Sequence, residues 1–164
     1  MPEINISTEA LQFIQAAEES INKWTIQALR DEGNVPNRPV KTQVHIMDVV
    51  IEPERVVFMV EKGHLGLALG RGAINLQRLK ERFSKDVKFI EHDEDKAVFV
   101  KNVFKPFVPE KVDVEQKKGG GPLVATVTLK PEDKGKAIGK GGKNINLVRT
   151  LAKRHHQIEE VKVL

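Results

Sequence analysis

Residues 56–90 and 125–164 carry the same pattern twice, the second copy reading 69 positions after the first, so the chain must build one small unit two times. Each copy opens on an alternating strand, Val56, Phe58 and Val60 against Ala125, Val127 and Leu129. A glycine-punctuated segment follows, Gly66-Leu67-Ala68-Leu69-Gly70-Arg71-Gly72-Ala73 in one and Gly135-Lys136-Ala137-Ile138-Gly139-Lys140-Gly141-Gly142 in the other. A helix comes next, with Leu76, Leu79 and Phe83 matching Ile145, Val148 and Ala152 at the spacing that lays one apolar stripe on a core. Closing strands are expected over Val87 to Ile90 and Val161 to Leu164.

Another helix and strand precede each copy. Ser7 or Thr8 can cap a helix whose apolar positions are Leu11, Ile14, Ala17, Ile21 and Trp24, and Gln43 to Ile51 then reads as a strand turning at Glu52-Pro53-Glu54. In the second copy the counterparts are a helix over Asp95 to Phe104 and a strand over Lys111 to Glu115, ended by Gly119-Gly120-Gly121. The order helix, strand, strand, short helix, helix, strand occurs twice, which predicts two α+β modules, residues 1–92 and 95–164, each a sheet covered on one face by helices. Modules of about 70 residues bury only around 60% of their unfolded surface, so two packed together are the more stable arrangement. The linker His92-Asp93-Glu94-Asp95 is short, and its acidic run reads as a helix start.

Composition narrows the chemistry. With no cysteine there is no disulfide, thiolate metal site or cysteine nucleophile. The Met1-Pro2-Glu3 start lacks the features of a secretory signal and no apolar run approaches the roughly 18 residues of a membrane span, so a cytoplasmic, soluble chain without membrane contact is expected. The net charge of +4 is unevenly spread: residues 62–90 hold 7 basic and 2 acidic side chains, and residues 134–158 hold 7 basic and none acidic. Both basic windows coincide with the glycine segments.

A loop joining two helices exposes N–H groups at the start of the second, where the helix dipole favours an anion, and small residues let a phosphate backbone come close. Arg71, Lys140 and Lys143 stand at that positive end, where a cation loses roughly 0.3–1 kcal/mol unless an anion joins it. Lys134 and Lys136 lead into the second loop. Arg82, Lys85, Lys153 and Arg154 lie near helix C-termini, where the dipole already favours cations, and they carry no such information. Lys80 and Arg149 are equally suited to a flanking phosphate or to solvent. The helical glycines Gly66 and Gly135 each cost about 1 kcal/mol relative to alanine, which points to close packing ahead of close ligand approach.

The pattern Gly-x-x-Ile-Gly-x-x-Gly-x-x-Ile, formed by Gly135, Ile138, Gly139, Gly142 and Ile145, resembles the core of the KH family of single-stranded nucleic-acid binders. The extra helix and strand come first in both copies, which resembles the type II KH topology, and two such units in tandem resemble the archaeal NusA-type transcription termination and antitermination factors. Segments that carry this likeness are Val124-Ala125-Thr126-Val127, Asp133 to Gly139 and Leu151-Ala152-Lys153-Arg154-His155. The resemblance implies a monomeric RNA-binding accessory factor of transcription that grips an unpaired, nascent transcript with Gly139, Lys140, Gly141, Gly142, Lys143, Lys134 and Lys136. Gly70, Arg71, Gly72 and Ala73 would form the weaker first clamp, and RNA polymerase is a possible further partner.

Two departures stand out. Ala73 replaces the second loop glycine; it weakens the first site if that position needs a positive φ and is harmless if the position is already helical. Residues 23–41 exceed the family's usual connection, which suggests a helix extended through Leu29 and a loop Gly33-Asn34-Val35-Pro36-Asn37.

Competing readings are weaker. The glycines do not fit a Walker loop, and the dinucleotide pattern meets Asn75 and Asn144 where its third glycine belongs. The five histidines, His45, His64, His92, His155 and His156, show no pair at ligand spacing; solvated or capping roles are expected, with His155 and His156 on different faces. No catalytic constellation, cofactor or metal is indicated. RRM and OB platforms stack bases on aromatics, whereas this chain has no tyrosine and one tryptophan. The remaining alternatives are a ribosome-associated or assembly factor using the same clamp, and a protein-interaction module with vestigial loops.

Overall fold

The computed structural model describes residues 6–33 and 43–164. Its chain divides into two compact units, one ending at His92 and the other beginning at Asp93. In each unit a three-stranded sheet has its first two strands antiparallel and its second and third parallel, and helices join them in the order α-β-β-α-α-β. This is the tandem type II KH arrangement.

The first unit opens with α1 (Thr8–Asp31), where the Ser7 side chain accepts from the Ala10 N–H at 3.1 Å. Ile14, Ala17 and Ile21 are buried as the stripe requires, but Leu11 is exposed and Trp24 only half-buried. The helix runs two residues past Leu29 before Glu32 and Gly33 close it on Ala28 and Arg30. From Asn34 the expected loop lies outside the described residues.

Strand β1 (Ile46–Ile51) starts later than Gln43, and side chains take the amides around its start: Asn22 accepts from Val44 N–H and Glu18 from Ile46 N–H, each at 3.1 Å, and His64 from His45 N–H. Strand β2 (Arg55–Val60) lies between β1 and β3 (Asp86–Glu91). Val56, Phe58 and Val60 join Ile14, Ile21 and Leu79 in the core. Val57 and Met59, at 1% exposure each, are buried too, so β2 is apolar on both faces rather than half-buried. Its continuous run Val56-Val57-Phe58-Met59-Val60 is the sequence form of that burial. Short α2 (Leu65–Leu69), a 3-10 turn (Arg71–Ala73) and α3 (Ile74–Phe83) complete the unit.

In the second unit Asp95 caps α4 (Lys96–Phe104) by accepting from Val98 N–H, the role expected of the acidic run. Strands β4 (Lys111–Gln116) and β5 (Leu123–Thr128) follow, then α5 (Pro131–Ile138), a 3-10 turn (Lys140–Gly142), α6 (Lys143–His156) and β6 (Ile158–Val163). Strand β6 begins three residues before Val161 because Gln157, at φ 56°, ends α6 and turns the chain directly into the sheet. His155 and His156 are buried, not solvated, and both rings approach Phe99, with centroids at 5.6 and 4.6 Å. His64 stands at the start of α2 but makes no side-chain cap bond there; its Nδ1 instead accepts from His45 N–H at 2.9 Å. Among the described residues no helix is long and apolar enough to cross a membrane.

Candidate nucleic-acid interface

Each glycine segment forms the same helical elbow. Gly70 and Gly139 end α2 and α5 at φ 74° and 83° with extended ψ, a region that only glycine occupies comfortably. A Cβ on Gly139 would stand 3.0 Å from Asn144 N, and one on Gly70 would stand 2.7 Å from the Asn75 side chain. Asn75 and Asn144 are why the turn is this tight: each donates from Nδ2 across the elbow to the preceding helix, to Leu67 O and Lys136 O, both at 3.3 Å. Sequence reasoning used these two asparagines only to reject a dinucleotide loop. Their recurrence five residues after the glycine was the available signal.

Within the elbow, Gly72 and Gly141 adopt φ 62° and 64°, and the next residues, Ala73 and Gly142, adopt 58° and 75°. The Ala73 position therefore requires positive φ, and its methyl group is held in the left-handed region. Gly142 N–H donates to Gly139 O and Lys143 N–H to Lys140 O, so part of the amide set expected to be unpaired is engaged inside the turn.

Neither α3 nor α6 has an acidic residue in its first turn, whereas α5 carries Glu132 and Asp133 there and α1 carries Glu9. Among the described residues, the side chains of Lys134, Lys136 and Lys140 form no ion pair, and all three are exposed. Lys134, Lys136 and Lys140 thus bring positive charge to the second elbow that no ion pair of their own answers among the described residues. The first differs: Glu32, the residue that closes α1, meets Arg71 at 2.8 Å, so the fold itself places an anion beside that cation. Arg82 and Lys85 have structural contacts, with Ser20 and with Glu52 O, Lys153 pairs with Glu159, and Lys80 pairs with Asp86.

Gly66 and Gly135 do not serve packing. Both are exposed, and a Cβ at either would meet nothing within 4 Å. Beside Gly66 lies a cleft of about 360 Å³ between the end of α1 and the α2–α3 elbow, lined by Trp24, Ala28, Leu67, Arg71, Ile74 and Arg78 among others. Among the described residues no group of three or more His, Asp or Glu side chains is placed to hold a metal ion.

The NusA-like second KH domain model matches residues 96–163, and the KH domain model matches residues 37–110. The chain is 36% identical over 121 residues to a probable transcription termination protein NusA of Methanocaldococcus jannaschii, covering 74% of this chain but 65% of that one, just under two thirds of its length. The protein of the same name from Methanococcus vannielii is 35% identical over 123 residues, 75% of this chain and 70% of that one. A solved structure, "Crystal structure of APE1850", superposes with a TM-score of 0.69 at 25% identity, over 97% of this chain and 100% of that one. With two KH folds in tandem and these relatives, the chain belongs to the archaeal NusA-like family of KH-domain proteins.

Proposed function

We propose that this protein is a non-enzymatic accessory factor of transcription elongation or termination that binds unpaired RNA along its two KH modules, residues 1–92 and 95–164. The second elbow, Gly139-Lys140-Gly141-Gly142-Lys143 with Lys134 and Lys136 leading into it, is the stronger clamp. Gly70-Arg71-Gly72-Ala73 is the weaker. The observation that carries this reading is the cationic start of α6: it has no acidic first-turn residue, and three exposed lysines in and before the elbow lack an ion-pair partner among the described residues. Such a helix start is destabilised by its own cations and relieved by a phosphate. The elbow glycines keep side-chain bulk away from the approaching strand.

Nothing in this chemistry reads base edges, so binding is sequence-tolerant and salt-sensitive. The protein acts in the cytoplasm as a monomer, on the nascent transcript near RNA polymerase. The relatives' names favour this over a ribosome-assembly role.

The test is the double variant Lys140→Asp/Gly141→Asp. Gly141 has φ 64° and open space around its Cβ position, and aspartate tolerates that region, so the stability loss is of order 1 kcal/mol. Affinity for a short unstructured RNA should fall by at least tenfold. Each lost phosphate contact should flatten the log–log salt dependence by about 0.7. Unchanged affinity and slope would refute the assignment.

A further inference from the structure

The two modules differ most where α1 outlasts its counterpart. Helix α1 has 24 residues and α4 has 9, and the additional turns lay Trp24, Thr25, Ala28, Leu29 and Glu32 along the first elbow. The cleft this creates has the chemistry of a base site rather than of a phosphate site. Its walls are Ala28, Leu29, Leu67 and Ile74, and the Arg78 guanidinium carbon stands 5.4 Å from the centroid of the Trp24 ring. Trp24 is in turn packed against the buried core, which fixes the platform. A guanidinium lying against an indole offers a flat cationic surface on which a nucleobase can stack.

Comparison within the chain supports the same division. At the positions of Leu67, Ile74 and Arg78 the second module has Lys136, Lys143 and Leu147, and Leu147 is buried. One elbow is lined for phosphates and the other for something flat and apolar, with Arg78 at its rim and Arg71 paired there with Glu32. Exposed Gly66, which lines the cleft, leaves room for close approach.

We propose that the cleft between the end of α1 and the α2–α3 elbow binds one nucleobase of the RNA strand, stacked on the Trp24–Arg78 pair. This rests on the RNA-binding reading above, and the experiment separates the two. The two-unit chain carrying Lys140→Asp/Gly141→Asp isolates the first elbow. Trp24 is the chain's single tryptophan, so its emission reports the cleft directly.

Labelled oligoadenylate and an abasic oligomer of equal charge are titrated, with anisotropy and Trp24 emission recorded together. The oligoadenylate should change Trp24 emission in parallel with anisotropy; the abasic strand should bind about tenfold more weakly and leave the emission unchanged. Ala28→Leu, a cleft-filling change at an exposed helical position, should weaken oligoadenylate binding about tenfold with an unchanged salt slope. Arg78→Gln, also exposed, is the second variant and should lose the emission change. RNA that binds with Trp24 silent and with Ala28→Leu at full affinity would overturn the base site while sparing the RNA-binding reading. Absence of RNA binding by the unsubstituted protein would remove both.

Discussion

Ala73 and Gly142 occupy the same place in the two elbows, at φ 58° and 75°, and exchanging their identities measures what a methyl group costs there. An L-residue in the left-handed region loses roughly 1–2 kcal/mol. Glycine avoids that loss but gives the unfolded chain more freedom, worth about 0.4–1 kcal/mol. Ala73→Gly should therefore stabilise the first unit by about 0.5–1 kcal/mol, and Gly142→Ala should destabilise the second by a similar amount. The second change brings no steric clash, because the new Cβ would lie 3.6 Å from Ile145 Cγ2 and 3.8 Å from Asn146 Nδ2. Gly139→Ala is the contrast. Its Cβ would meet Asn144 N at 3.0 Å and Asn144 Nδ2 at 3.1 Å from a backbone at φ 83°, ψ 163°, so about 2–3 kcal/mol should be lost. Urea denaturation reads all three, with Trp24 fluorescence reporting the first unit and circular dichroism the whole chain, and stabilities compared at constant m. A lower midpoint for Ala73→Gly, or equal losses for Gly142→Ala and Gly139→Ala, would show that backbone strain does not set the elbow's energetics.

Asn75→Ala and Asn144→Ala each remove the bond that closes an elbow and should cost about 0.5–1.5 kcal/mol, more for buried Asn75 than for half-exposed Asn144, with RNA affinity falling alongside; thermal denaturation and a binding titration give both numbers. His156 is held below its ordinary value of 6.5, chiefly by burial and further by Lys96 and His155, against the opposing pull of the Asp93 carbonyl at 2.8 Å and of Glu94. Because the unfolded state takes up the proton first, this contribution to stability is complete above pH 6.5 and is lost as pH falls from there through the folded value. The unfolding midpoint should drop between pH 7.5 and 5, and His156→Gln should flatten that drop.

The fold was readable in the sequence because the duplication supplied its own control: a feature present at both Val56-to-Phe83 and Ala125-to-Ala152 is unlikely to be accidental. Strand starts were harder. Around the start of β1, Asn22 and Glu18, more than twenty residues earlier, accept from Val44 and Ile46 N–H, and no local pattern announces that. The single-residue closure of α6 at Gln157 is similarly silent, since glutamine is an uncommon left-handed cap. In the candidate site, the glycines and lysines could be read from spacing and charge. The Arg71–Glu32 pair could not, because it depends on how far α1 continues and where its end comes to rest. Helical glycines such as Gly66 and Gly135 point to packing on general grounds, and only the empty space beside them reverses that.

Two copies of one unit free each to give up part of what a single copy must do. The second retains glycine at 142, lysines at 136, 140 and 143, and no acidic residue in the first turn of α6, all of which favour an anion at the elbow. In the first, Ala73 takes on backbone strain, leucine and isoleucine stand in place of two lysines, and Glu32 answers Arg71. Each of these differences lowers attraction for phosphate, yet the elbow itself is preserved down to the Asn75 bond. A clamp that had lost its role would have no reason to keep a glycine at φ 74° under an asparagine that leaves no room for a Cβ. Retained geometry with altered lining is the mark of a changed ligand group, and on a nucleic-acid strand the group adjacent to the phosphate and suited to an apolar, arginine-rimmed cleft is the base.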